Sequence, residues 1–170
     1  QILRESGYDE ALLGLSLSYD QPVERMGAVA AKLAAHDSGE NKFLESMIVW
    51  LDIVAPRNWW QQFDTYRVGV TKQSGSTMHT LLRRPLTQKD FATPLPDGWL
   101  PLLNSLIATR DLDRLKDYLP EGFLQRRIVA TNYKALRHIV AQRHDHRLPE
   151  WREFCRVLRA GLAHPDFVEW

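Results

Sequence analysis

The stretch MIVWLDIVAPRNWWQQFDTYR, residues 47–67, holds a change of period that decides how the chain is read. From Met47 to Ala55, Val49, Leu51 and Ile53 alternate with Trp50, Asp52 and Val54, and β-branched residues dominate. This predicts a strand that is apolar on both faces except at Asp52. Pro56 biases its predecessor towards extended geometry and closes the strand. Beyond it, Arg57 to Arg67 loses the alternation and suits a short helix, with Trp59, Trp60, Phe63 and Tyr66 clustered on one side.

Towards the N-terminus, Leu13, Leu15, Leu17 and Tyr19 alternate with Gly14, Ser16 and Ser18, which predicts a second strand from Leu13 to Tyr19. After Asp20 and Pro22, the spacing of Val23, Met26, Ala30, Leu33 and Ala34 predicts a helix to about His36, ended by Asp37, Ser38 and Gly39. Lys72 to Thr77 is read as a loop, and the Pro85, Pro94, Pro96 and Gly98 run as a longer excursion from Arg83 to Gly98. Leu100 to Tyr118 is read as helix, broken near Asp111, and Leu119 to Gly122 as a turn. Two helices close the chain: Asn132 to about His146, with the stripe Leu136, Ile139 and Val140, and one entered at Pro149, with Trp151, Phe154, Cys155, Leu158 and Leu162. The expected fold class is α/β (α+β), a small antiparallel or mixed sheet packed with several helices, within one domain spanning 1–170.

The whole chain agrees with a globular domain. Its 170 residues are 44% hydrophobic and 25% charged, enough for a core without disulfides or a structural metal. Twenty-two basic against twenty-one acidic residues give a net charge of +1, so no global field points to nucleic acid or a membrane surface. The single cysteine, Cys155, and the lack of a long apolar run favour a reducing, cytoplasmic setting. Cys155 lies on the apolar stripe of its helix and is read as an inert core thiol rather than a nucleophile. His144 and His146 are two apart on a helix and point different ways, so no metal is expected from them with His164 and Cys155. Arg126, Arg127, Lys134, Arg137, Arg147, Arg152, Arg156 and Arg159 are read as solvated helix faces rather than a nucleic-acid surface.

Chemistry concentrates in two places. Asn132, Leu136, Ile139 and Arg143 share the interior stripe of their helix, and a guanidinium there needs a phosphate, a carboxylate or a carbonyl edge. A structural ion pair, or snorkelling past the helix end, is the plainer alternative for Arg143. The run Trp59 to Arg67 followed by Ser74-Gly75-Ser76-Thr77 offers rings to flank a flat heterocycle, a guanidinium, hydroxyls and unhindered backbone N–H groups. His79, as an imidazole, is a further cation or general acid candidate.

In that order, these elements resemble flavin-dependent thymidylate synthase from about Phe43 to Phe167: strand and Ala55-Pro56, aromatic helix with Gln62 and Arg67, Ser-Gly element, Leu119-Pro120, then Asn132, His138 and Arg143. The resemblance implies an enzyme that methylates C5 of dUMP, with FAD carrying electrons and a folate co-substrate supplying the carbon, in a homo-oligomer (tetramer or dimer). It implies nucleotide contacts at Gln62, Arg67, Ser74, Gly75, Ser76, Lys116 and Arg143, with Arg143, Ser74 and Ser76 holding the pyrimidine and phosphate for catalysis. It implies flavin contacts at Glu45, Arg67, Asn132, Lys134 and His138. No metal, membrane or nucleic-acid partner is implied.

The chain departs from the family pattern at defined positions. Thr65-Tyr66-Arg67 stands for Arg-His-Arg, Gln73 for a glutamate, and Ser76-Thr77 for the arginine after Ser-Gly. Each missing charged contact weakens anion binding by about 1.5–3 kcal/mol. A catalytically degenerate nucleotide-binding or protein-interaction module of the same fold is therefore the alternative to a divergent methyltransferase.

Overall fold

The computed structural model describes residues 1–36 and 39–169. Among them are four strands, β1 (Ile2–Ser6), β2 (Ile48–Pro56), β3 (Val70–Ser74) and β4 (Leu124–Asn132), in one sheet of order β1-β2-β4-β3. The helices are α1 (Tyr8–Tyr19), α2 (Met26–Leu33), α3 (Arg57–Phe63), α4 (Thr77–Thr80), α5 (Trp99–Ala108), α6 (Leu112–Tyr118), α7 (Tyr133–Arg143) and α8 (Pro149–Gly161). A small sheet with several helices is the expected fold class. The chain forms two compact units, one of residues 1–52, 66–72 and 128–170, the other of residues 53–65 and 73–127.

In the first unit β1 runs antiparallel to β2, pairing Glu5 with Val49 and Ser6 with Ile48, with a register irregularity between Ile2 and Arg4. The chain then turns into α1 at Gly7, whose φ of +92° and position 2.2 Å from the Ser46 carbonyl oxygen, measured from where a Cβ would sit, admit only glycine. Leu44, Val49, Leu136, Ile139, Val140 and Trp151 are fully buried there. Glu5 ties the ends together, accepting from the Tyr133 hydroxyl and, at 3.0 Å, from the Ala163 amide.

The second unit has its own core around Leu81, Leu86, Phe91, Leu103 and Leu115. Asp111, where the helix was expected to break, caps α6 by accepting from the Arg114 amide at 3.2 Å. On α3, Trp59 and Phe63 stack at 5.0 Å, and Trp60 meets Phe63 edge-on at 5.5 Å. All three are at most 2% exposed, so these rings fill core instead of lying open to a heterocycle.

Several elements differ from expectation. Leu13 to Tyr19 is helical: burial falls on Ala11 and Leu15, four apart, while Leu13 and Leu17 are 54% and 77% exposed. The serines that mimicked the polar side of a strand bond back within the helix, Ser16 to the Leu13 carbonyl at 3.0 Å and Ser18 to that of Gly14 at 3.1 Å. Lys72 to Ser74 extend in β3 and Thr77 opens α4, where a loop was expected. β4 was hidden by Arg126 and Arg127, whose charges do not fit a strand alternation. The helix after Pro56 stops at Phe63, short of Arg67. The helix expected from Pro22 is present as a 3-10 turn, Val23–Arg25, and α2, while its stop residues Asp37 and Ser38 lie outside the described residues. Among the described residues no helix is long and apolar enough to cross a membrane.

Candidate functional site

In the second unit, β3 delivers Ser74 and α4 begins at Thr77, so the Ser-Gly-Ser element is the link between them. Gly75 is fully engaged: its amide donates to the Arg126 carbonyl at 3.0 Å and its carbonyl accepts from Gln125 Nε2 at 3.1 Å. Its N–H is thus committed to the backbone of β4, contrary to the expectation of an open anion-binding turn. The hydroxyls of Ser74 and Ser76 have no hydrogen-bond partner among the described residues.

Beside this link lies a cavity of about 100 Å³ lined by Arg57, Thr77, Lys116, Leu119 and Gln125. Arg57, at the start of α3, is fixed in place by donating Nη1 to the Leu119 carbonyl at 2.8 Å, with Nη2 3.6 Å from Glu121. Lys116 projects from α6, and its ammonium donates to Met78 Sδ at 3.1 Å. A thioether is a weak acceptor, so this charge is not neutralised by any carboxylate among the described residues. Gln125 holds its amide in one orientation by accepting from Arg127 Nε and Nη2 at 3.1 and 2.9 Å. Arg127 also donates to Asp64 at 2.9 Å and lies 4.4 Å over the Trp60 ring, so it is clamped instead of solvated.

Lys116 was anticipated for this site; Arg57 and Gln125 were not. Their signal was there, since both flank elements that carry site residues, but a strand at Leu124–Asn132 had to be recognised first. Gln62, on the last turn of α3, does not line the cavity. His79 is exposed on α4, and its amide donates to the Ser76 carbonyl at 3.2 Å.

In the first unit, Arg143 ends α7 half-buried. It has no carboxylate partner among the described residues. Its Nε donates to the Tyr66 hydroxyl at 2.8 Å, and the guanidinium lies 4.7 Å over the Trp151 ring. Neither the structural ion pair nor free snorkelling describes it. Burial first, and then the positive charges of Arg143, Arg147 and Arg152, lower the His146 pKa.

The flavin-site candidates are all in this unit. Lys134 donates to Glu45 at 2.7 Å, so these two opposite charges satisfy each other at the surface. Asn132 caps α7, accepting from the Ala135 amide at 2.8 Å. Gly69, at φ +67°, leaves room for that side chain, since a Cβ there would stand 2.7 Å from Asn132 Nδ2. Arg67 and His138 are exposed without hydrogen-bond or ion-pair partners among the described residues, and the His138 ring meets Tyr66 edge-on at 6.1 Å. Arg137 is 6% exposed and donates to the Glu169 carbonyl, a structural tie where a solvated cation was expected.

No protein-family model matches the chain, and no curated protein matches it. Among solved structures, two crystal structures of flavin-dependent thymidylate synthase from Helicobacter pylori with FAD and dUMP superpose on it with TM-scores of 0.81. Their sequence identities are 16% and 15%, and the match covers 99% of this chain and 96% of theirs. The fold is that of those enzymes over essentially its whole length.

Proposed function

We propose that the chain binds a pyrimidine nucleotide together with FAD and transfers a one-carbon unit to C5 of a deoxypyrimidine monophosphate such as dUMP. The observation that carries this reading is the cavity of the second unit, lined by Lys116, whose ammonium has no carboxylate partner among the described residues, together with Arg57 and Thr77. At about 100 Å³ it is far smaller than the ~300–1,000 Å³ of a site enclosing a whole ligand, so it suits one end of a nucleotide, the phosphate. Ser74 and Ser76, in the link that leads to Thr77, carry hydroxyls without partners among the described residues, but neither lines the cavity. The neighbours of the same fold hold FAD and dUMP, which fits this assignment.

The flavin candidates fit the cofactor unequally. Arg67 and His138, without hydrogen-bond or ion-pair partners among the described residues, suit a phosphate or ring edge, whereas Glu45, Lys134 and Asn132 are engaged by protein partners. FAD, when bound, would supply reducing equivalents for the transferred carbon, and a folate co-substrate would supply the carbon. The exposed Leu13 and Leu17 of α1 provide an apolar face suited to a homo-oligomer, dimer or tetramer. A single buried thiol suits a cytoplasmic setting.

Incubation of the purified protein with FAD, followed by gel filtration and absorbance near the flavin bands, tests the cofactor. Tritium release from C5-labelled dUMP with methylenetetrahydrofolate tests the chemistry. Protein that retains flavin and releases tritium supports the enzyme; protein that retains none contradicts it. The engaged Lys134–Glu45 pair and Tyr66 in place of an imidazole favour a second reading, nucleotide binding without turnover, which predicts dUMP binding with no tritium release.

A further inference from the structure

We infer that Tyr66 is a positioning residue for Arg143, holding its guanidinium as a fixed two-pronged donor towards the carbonyl edge of a pyrimidine. The inference rests on the reading of Arg143 as the contact to the base.

The hydrogen bonds around Tyr66 have a defined direction. Its hydroxyl donates to Gln142 Oε1 at 2.9 Å, so the lone pair is what accepts from Arg143 Nε at 2.8 Å. Tyr66 itself is only 8% exposed, with its ring edge-on to His138 and to Trp151, each at 6.1 Å, so the hydroxyl cannot wander. The guanidinium is thereby held at one edge by Nε and on one face by Trp151.

The two Nη nitrogens have no hydrogen-bond partner among the described residues, which leaves the bidentate edge of the fork unspent. An arginine already fixed loses less side-chain freedom on binding than a mobile one. Because both Nη groups only donate, they favour the carbonyl of a uracil over the exocyclic amine of a cytosine. Tyr66 occupies the position where the family resemblance places a histidine, so one substitution both removes that imidazole and creates this anchor.

Calorimetry with dUMP and dCMP on Tyr66→Phe, Arg143→Lys and the double variant tests the inference. Y66F keeps the ring and loses only the hydroxyl. It is expected to weaken dUMP binding about tenfold and to shrink the preference for dUMP over dCMP, with little change in melting temperature. In the R143K background the same substitution should change dUMP affinity less than about twofold. Gln142→Leu, at an exposed position, removes the acceptor of the Tyr66 proton and should give the same pattern at about threefold, which serves if Y66F folds poorly. Unchanged dUMP binding in both Y66F and Q142L, or an undiminished loss in the R143K background, overturns the role of Tyr66 while leaving the nucleotide reading intact. Wild-type affinity in R143K alone overturns both.

Discussion

Arg143 donates its Nε to the Tyr66 hydroxyl at 2.8 Å, an arginine anchored by a neutral aromatic residue where a carboxylate would be the ordinary partner. A half-buried guanidinium without a carboxylate contributes little to stability, because its desolvation is not offset by an ion pair. Arg143→Met should therefore leave the melting temperature unchanged or raise it slightly. If Arg143 contacts the base, dUMP binding should weaken by about one to two orders of magnitude, equivalent to losing a charge-assisted hydrogen bond of ~1.5–3 kcal/mol. Thermal unfolding and calorimetry on the same preparation check both halves.

Thr77 lines the cavity with Lys116, at a position where the resemblance places the segment that has lost an arginine. Thr77→Arg should restore a phosphate-directed cation and tighten dUMP binding about tenfold at low salt, with a smaller gain as ionic strength rises. Affinity that stays flat or falls at every salt concentration would place the phosphate elsewhere.

Asp90 accepts from Arg84 Nη1 at 2.9 Å and from the Thr87 amide at 2.8 Å, and the Arg84 hydrogen bond, more than any other contact, draws its pKa from 3.8 down to about 2. A carboxyl with a depressed folded pKa stabilises the protein above its unfolded pKa and loses that increment as pH falls towards its folded one. Since Arg84 is largely exposed, the increment is discounted to about 1–2 kcal/mol. Asp90→Asn should be less stable than the parent by that amount at pH 7, and the two should converge near pH 2. Denaturant titrations across this range measure the difference.

Cys155 is 2% exposed, and burial pushes its pKa from 9.0 up to about 11. At pH 8 the native thiolate fraction is then about a hundredfold below that of an unfolded thiol. Alkylation by iodoacetamide should be slower by at least that factor in the native protein and should accelerate to the unfolded rate in guanidinium. Rapid native labelling would show that α8 opens readily.

The sequence made some elements legible and concealed others for identifiable reasons. The strand ending at Pro56, the break at Asp111 and the buried stripes of α7 and α8 followed from period and caps: Val49, Leu51, Leu136, Ile139, Val140, Trp151, Cys155 and Leu158 are apolar positions that are also buried, whereas Val54, on the other face of its strand, is 60% exposed. At α1 the match fails: Leu13 and Leu17 are exposed, so the alternation of leucines carried no information about burial. At β4, arginines at 126 and 127 obscured a strand, and with it the place of Gln125 beside the Ser-Gly-Ser link. Arg143 and Lys116 were legible as cations needing a reason. Arg57 was not, because its tie to the Leu119 carbonyl joins residues 62 apart in sequence.

The most direct measurement compares the affinities of dUMP and deoxyuridine for the parent protein and for Lys116→Met. If the small cationic cavity receives the phosphate, the parent prefers dUMP by about a hundredfold or more and the variant loses at least tenfold of that preference, with deoxyuridine binding unaltered. Equal binding of dUMP and deoxyuridine by the parent, or an undiminished preference in the variant, rules out a phosphate site at Lys116.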